Sequence, residues 1–338
     1  MGCNLRQLAE PQTIDLKELA GKVVGIDAFL VAFQFITGMR NRGPEGDGGP
    51  LTNSKGQVVA HLMGFLERTT GLIEIGLKPV YIFDGKHPEL KADVIAQRKA
   101  RRIKAEKEWK EALAECDYER AQKFGQRAVN FTPEMQKQSK QLLEILGVPW
   151  LDAAAEGEGQ AAVMARRGEI DIVATQDWDA ILYGSPVLIR NLISAGSKRR
   201  GHIIKAEKII LSELLEKHGI SRQQLVDLAI MIGTDFHPGI KGIGPKTGLK
   251  LIIEHGDVES VCAAKGKTVP ERLDEIRQLF HHHPVNEVGD LSQGTVDEKE
   301  LRRFLMDGFE FGEKRLDRNL KRLDGRIRRS GQASLFEF

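Results

Sequence analysis

A chain of 338 residues can bury a large core and holds one to three structural units. Its 50 Lys and Arg against 48 Asp and Glu leave a net charge of +2, so any nucleic-acid surface must come from segregated charge rather than overall basicity. Three scattered cysteines, Cys3, Cys116 and Cys262, argue against a disulfide framework or structural zinc, and the absence of any run of 18 apolar residues leads to the expectation of a soluble, cytoplasmic protein with no membrane contact.

Residues 22–30, KVVGIDAFL, are expected as a buried strand ending at Asp27, and a second apolar run, residues 79–85 (PVYIFDG), ends the same way at Asp84. Open α/β sheets place their sites at such carboxyl ends, because the loops there line one crevice. Between the two strands, residues 40–56 are rich in Gly, Pro and charge and are expected as a surface loop, with an amphipathic helix over 59–75. Residues 91–110 carry eight basic side chains against three acidic ones, a net +5, and the stretch continues to 129 with few large apolar residues. That pattern predicts a helical arm projecting from the core, and its charge suits phosphate.

Thr132 as N-cap, Pro133 in the first turn and Gly147 after Leu146 bracket the next helix, and a strand over 148–151 follows. The segment 150–182 then sets Glu156 and Glu158 around Gly157, and Asp177 and Asp179 around Trp178. On a helix an i, i+2 pair points to different faces, whereas in extended or turn backbone both side chains share a side, so both pairs are expected in strand-end loops with a short helix between them. Taken singly, either pair is an ordinary solvated loop. Together, beside apolar strands, they point to a metal site: clustered acids repel unless a cation neutralises them, and hard oxygen ligands favour Mg²⁺ or Mn²⁺.

Strands over 170–175, 187–190 and 202–204 are expected to complete the sheet, and the alternation of strands and helices makes the fold α/β. An apolar helix over 221–233, the Gly-rich stretch GIKGIGPK at 239–246 and a helix over 247–254 form a helix-hairpin-helix, which offers backbone N–H groups and a helix N-terminus to phosphate without reading bases. His281, His282 and His283 are expected on a surface loop, residues 298–329 as charged helix, and residues 331–338, GQASLFEF, as an apolar tip on a polar tail.

The ordered set IDAFLVAFQF, FDGKHPELK, EGEGQAA, QDWDAILYG, IGTDFHPGIKGIGPK and the closing Gln-x-x-Leu peptide resembles the flap endonuclease family of structure-specific 5′ nucleases, in its archaeal form, over nearly the whole chain. The resemblance implies an α/β fold with a central, mostly parallel sheet flanked by helices, a helical arch and a helix-hairpin-helix DNA-binding element. It divides the chain into a nuclease region at 1–98, the arch at 99–130, an internal nuclease region with the helix-hairpin-helix at 131–258, a helical region at 259–329 and a sliding-clamp peptide at 330–338. It also implies that Asp27, Asp84, Glu156, Glu158, Asp177, Asp179 and Asp235 surround two divalent ions, Mg²⁺ with Mn²⁺ able to substitute. Catalysis falls to Lys91 and Arg98 with Asp27, Asp84 and Glu158, and DNA contact to Gly2, Phe33, Gly242, Gly244 and Lys246. Phe33 stands where many relatives carry a stacking Tyr. Gln332, Leu335, Phe336 and Phe338 match the clamp-binding peptide, although two adjacent aromatics usually close that motif and here the chain stops at Phe338.

Phosphodiester hydrolysis by two ions about 3.5–4 Å apart needs such carboxylates, and fixed cations to offset charge on the transferring phosphate. The expected activity is therefore a monomeric 5′ flap endonuclease and 5′–3′ exonuclease of DNA replication and repair, acting on flap and nicked duplex DNA. The alternatives are a relative acting on RNA or junctions, a noncatalytic DNA scaffold, which would not need seven acids, and a magnesium phosphatase, which would not need the basic arm or the hairpin.

Overall fold

The computed structural model describes residues 3, 5–43, 46–199 and 201–326. Along the chain, α1 (Arg6–Ala9) and β1 (Gln12–Ile14) precede β2 (Val23–Asp27), α2 (Ala28–Gly38), α3 (Ala60–Glu74) and β3 (Lys78–Phe83). Next come α4 (Ala92–Ala114), α5 (Tyr118–Gly125), α6 (Pro133–Ile145), β4 (Trp150–Asp152), α7 (Gly157–Arg167), β5 (Ile172–Ala174), α8 (Asp179–Leu182) and β6 (Val187–Arg190). The remainder is β7 (Lys198–Arg199), β8 (His202–Ile203), β9 (Ala206–Ile210), α9 (Leu211–His218), α10 (Arg222–Ile232), α11 (Pro245–His255), α12 (Val258–Lys265), α13 (Leu273–His281), α14 (Glu298–Arg302) and α15 (Glu313–Arg322). No helix among the described residues is long and apolar enough to cross a membrane.

The chain forms two compact units, one from Met1–Leu30, Tyr81–Ala100 and Leu151–Val288, the other from Val31–Val80, Arg101–Trp150 and Gly289–Phe338. The first is organised by a seven-stranded sheet of order β1-β9-β6-β5-β2-β3-β4. Its centre is parallel: Ile26 pairs with Ala174 and Ala174 with Ile189. Val24, Ile26, Ile172, Val173, Leu188 and Ile189 are buried without alternation, as expected of strands covered on both faces. Helix α7 lies so close to the sheet that a Cβ on Gly25 would stand 3.6 Å from the Ala161 methyl. Two antiparallel strands close the edge, β9 on β6 and β1 on β9. This corrects one expectation, since His202 and Ile203 do not join the sheet but pair with Lys198 and Arg199 in a separate two-stranded ribbon. The sheet takes Ala206–Ile210 instead, whose Ala206 and Ile209 are buried while His202 and Ile203 are exposed.

In the second unit, α3 packs on α6 and α15 around Leu62, Phe65 and Leu66. Thr132 caps α6 by accepting from the Met135 N–H, with Pro133 in the first turn. The basic stretch does form the helices α4 and α5, but within this unit their distal part does not project freely. The Trp109 indole donates to the Asp47 carbonyl at 2.5 Å and the Arg40 guanidinium to the Gln122 carbonyl at 2.9 Å. A Cβ on Gly48 would meet the Gln122 Cα at 2.3 Å. Residues 46, 48 and 49, expected on an open surface loop, are therefore buried. The many small residues are the physical reason: buried Ala105 and Ala112 on α4 and Ala121 on α5 let helices poor in large apolar groups pack closely on a glycine backbone.

Candidate active site

The parallel register of β2 and β5 brings the residues following Asp27 and Ala174 to one edge of the sheet, and Asp84 follows β3 directly. All seven acids expected from the sequence lie in the first unit, linked by mutual repulsion: Asp27 feels Asp84 and Asp177, Glu158 feels Asp177, Glu156 and Asp179, and Asp179 feels Asp177, Asp235 and Glu156. The two i, i+2 pairs are not in extended loops. Each spans a helix start: Glu156 is the extended N-cap of α7 with Glu158 in its first turn, and Asp179 opens α8. The bend between cap and first turn brings both members of each pair into the cluster, as an extended strand end would have done.

Burial, aided by Asp84, raises the Asp27 carboxyl to about 7. Burial and Asp177 do the same to Asp179, also to about 7, against the N–H of Cys3, which donates to Asp179 Oδ1 at 3.0 Å. Burial pushes Glu158 well above its ordinary range, and Asp84 is raised by burial although the Gly157 N–H donates to its Oδ1 at 2.8 Å. The cation seated in this cluster is Lys91, whose ammonium contacts Glu156 Oε1 and lies 3.1 Å from Asp235 Oδ2. Burial would lower that ammonium, but Glu156, Glu158 and Asp235 outweigh it and hold its pKa above the ordinary lysine value. Arg98 donates to the same Asp235 oxygen at 2.8 Å from a half-exposed position. Asp235 is held at about 2, because burial, which would raise it, is overcome by Lys91 and Arg98. Among the described residues no three acidic, imidazole or thiol groups close round one ion point. The donor set still fits a hard divalent cation: carboxylate oxygens alone, several held partly protonated by burial and by mutual repulsion that a cation would relieve.

These shifts set a pH dependence. Asp27 and Asp179 near 7 hold more protons in the fold than in an unfolded chain, where they titrate near ~4, so metal-free stability falls as pH rises between those values. Asp235 contributes in the opposite sense, its stabilisation present above ~4 and lost as pH falls towards about 2. In chelator, the melting temperature of Asp179→Asn relative to the parent should therefore climb from pH 4 to pH 7. A difference constant across that range would refute the raised carboxyl.

Several residues that shape the site carried no signal in the sequence. Gly85 admits no side chain, because its Cβ would stand 1.9 Å from the Ala153 carbonyl oxygen. A Cβ on Gly157 would crowd Asp84 Oδ1 at 3.0 Å, and one on Gly159 would stand 2.5 Å from the His283 ring, so the glycines of EGEGQAA serve close approach. His283 is buried against Tyr183 rather than on a surface loop, and the Tyr183 hydroxyl donates to Glu156 Oε2 at 2.8 Å. An aromatic beside QDWD was visible in the sequence; its partner 27 residues earlier was not.

Residues 3–105 match the XPG N-terminal domain and residues 147–235 the XPG I-region. Flap endonuclease 1 of Methanosarcina barkeri is 42% identical over 328 residues, 96% of this chain and 96% of that protein. This chain belongs to the flap endonuclease family. The solved flap endonuclease-1 from Methanococcus jannaschii agrees, with TM-score 0.75 and 34% identity across 96% of this chain and 99% of that one. The catalytic core of Rad2 in complex with DNA substrate shares the fold, at TM-score 0.74 and 22% identity over 96% of this chain and all of that one.

The positions expected to meet DNA differ in kind from the acids. Gly242 and Gly244 are exposed on the turn before α11, Gly242 at φ +90° and Gly244 as the helix N-cap with Pro245 following, and Lys246 is exposed in the first turn. Phe33 is on α2 in the second unit, 38% exposed. Gly2, and the clamp-peptide positions Gln332, Leu335, Phe336 and Phe338, lie outside the described residues.

Proposed function

We propose that this flap endonuclease cleaves DNA at flap and duplex junctions by Mg²⁺-dependent hydrolysis with two ions held by Asp27, Asp84, Glu156, Glu158, Asp177, Asp179 and Asp235. The observation that carries the reading is the gathering of these carboxylates in one mutually repelling cluster with Lys91 seated among them. The ions, when bound, supply an activated water and stabilise the leaving oxygen. Lys91 and Arg98 each contact Asp235 and each supply a cation that can turn to a phosphate oxygen when ions take over the acids. The exposed hairpin amides and Lys246 bind duplex phosphates, and Phe33 offers a ring face to a base. Residues 99–130 serve as the arch and 131–258 as the internal nuclease region. The protein acts in the cytoplasm as a monomer, in replication and repair.

A labelled 5′-flap duplex incubated with and without Mg²⁺, beside RNA and four-way-junction substrates, tests the reading. Cleavage at the flap junction only with Mg²⁺ is expected. Preference for RNA or junctions would reassign the substrate, and binding without cleavage would favour the scaffold. Gln332, Leu335, Phe336 and Phe338 are proposed to dock on a sliding clamp, Gln332 and Leu335 one helical turn apart. Deletion of residues 331–338 should abolish clamp binding and clamp stimulation while clamp-free cleavage stays unchanged; equal clamp affinity by calorimetry would sink it.

A further inference from the structure

Tyr183 follows α8 directly and is fully buried, yet it carries a hydroxyl. Packing does not call for one, since phenylalanine would fill the same volume, and a buried hydroxyl without a partner is costly. Its partner is Glu156: the phenol donates to Oε2 at 2.8 Å while Lys91 takes Oε1. Both oxygens of a carboxylate that is 3% exposed are thus held, by donors from two different elements. The phenol has little room to turn. The Phe280 ring centroid is 5.0 Å away, tilted, and the His283 ring meets it edge-on at 4.6 Å. His283 in turn lies over Gly159, where no Cβ fits.

We propose that Tyr183 is a positioning residue, whose hydroxyl fixes the Glu156 carboxylate for ion binding and whose ring is locked by Phe280 and His283. The inference rests on Glu156 being an ion ligand. Were an ion to take the place of the Lys91 ammonium, Glu156 would supply it a carboxylate oxygen while the Tyr183 hydroxyl still held Oε2. Donors of this kind to ligating carboxylates commonly govern metal affinity by about 10–100-fold.

The test is Mn²⁺ titration of the DNA-free full chain by calorimetry for the parent, Tyr183→Phe, Glu156→Gln and the double variant, together with single-turnover flap cleavage against Mg²⁺ concentration. Tyr183→Phe should weaken Mn²⁺ binding by roughly 10-fold and raise the Mg²⁺ midpoint to match, with the rate at saturating Mg²⁺ within about twofold of the parent, since the hydroxyl orients a ligand and does not touch the reacting atoms. Adding Tyr183→Phe to Glu156→Gln should weaken binding no further. If Glu156→Gln binds as the parent does, the ligand assignment and this inference fall together. If Glu156→Gln weakens binding but Tyr183→Phe does not, or if Tyr183→Phe acts equally in both backgrounds, the positioning role alone is overturned.

Discussion

Asp179→Asn and Glu158→Gln are each expected to abolish flap cleavage, by on the order of 1000-fold or about 4 kcal/mol of barrier, and to leave flap binding largely intact. Asp179 is buried at the start of α8, and an asparagine there can still accept from the Cys3 N–H, so the shape of the site survives while the charge is lost. Glu158 feels Asp177, Glu156 and Asp179 at once, and neutralising it removes repulsion along with a ligand. Metal-free stability should therefore rise in both variants even as catalysis disappears, a combination that simple misfolding cannot produce. The proposed phosphate contacts at the hairpin are untouched in these variants, and a less negative site should repel DNA less. The readouts are single-turnover cleavage in Mg²⁺, anisotropy with labelled flap DNA, and thermal unfolding in chelator. Either variant cutting at near the parental rate refutes the ion-ligand assignment.

Lys91→Ala has the second large effect, and it has two parts. Removing the ammonium takes a buried cation from both Glu156 and Asp235, although the Tyr183 hydroxyl still donates to Glu156 and the half-exposed Arg98 to Asp235; breaking a buried pair costs about 3–5 kcal/mol, so the metal-free protein should melt at a distinctly lower temperature. Mg²⁺ should recover much of that loss, because divalent ions neutralise the same acids. Cleavage should still be slower at saturating Mg²⁺, by roughly 100-fold or more, because a fixed cation acting on the developing phosphate charge changes rate rather than affinity. Arg98→Ala shares the rate defect but little of the instability, since its side chain is half-exposed. Lys246→Ala should do the reverse, weakening flap binding with the saturated rate unchanged. An Arg98→Ala variant with a pure binding defect leaves the catalytic set, and a Lys91→Ala protein as stable as the parent in chelator would mean that the ammonium does not neutralise the acids.

Local signals were enough to find the elements that hold the acids. The runs KVVGIDAFL and PVYIFDG are apolar over a strand's length and end in Asp27 and Asp84. Thr132 with Pro133 marks a helix start through a bond made within three residues. The pairs around Gly157 and Trp178 were legible as an acidic cluster because like charges so close in the chain demand a cation whatever the backbone does. Their backbone was misjudged: an i, i+2 pair spanning a helix cap is indistinguishable in sequence from one on an extended loop.

Contacts between distant residues decided the rest. Whether residues 202–204 or 206–210 join the sheet depends on which strand buries its apolar groups against β6, a fact about the partner. Residues 40–56 look like solvent-exposed loop until α4 and α5 close over Gly48 and Gly49. Tyr183 meets Glu156 across 27 residues of chain, and His283 reaches the same neighbourhood only through packing across more than a hundred. Residue types and their local periodicity thus determined which carboxylates, cation and central strands this protein has. Non-local packing determined that Lys91 is clasped by Glu156 and Asp235, that Tyr183 holds Glu156 and that the glycines make room, because burial and hydrogen-bond partners belong to pairs of residues that local sequence does not bring together.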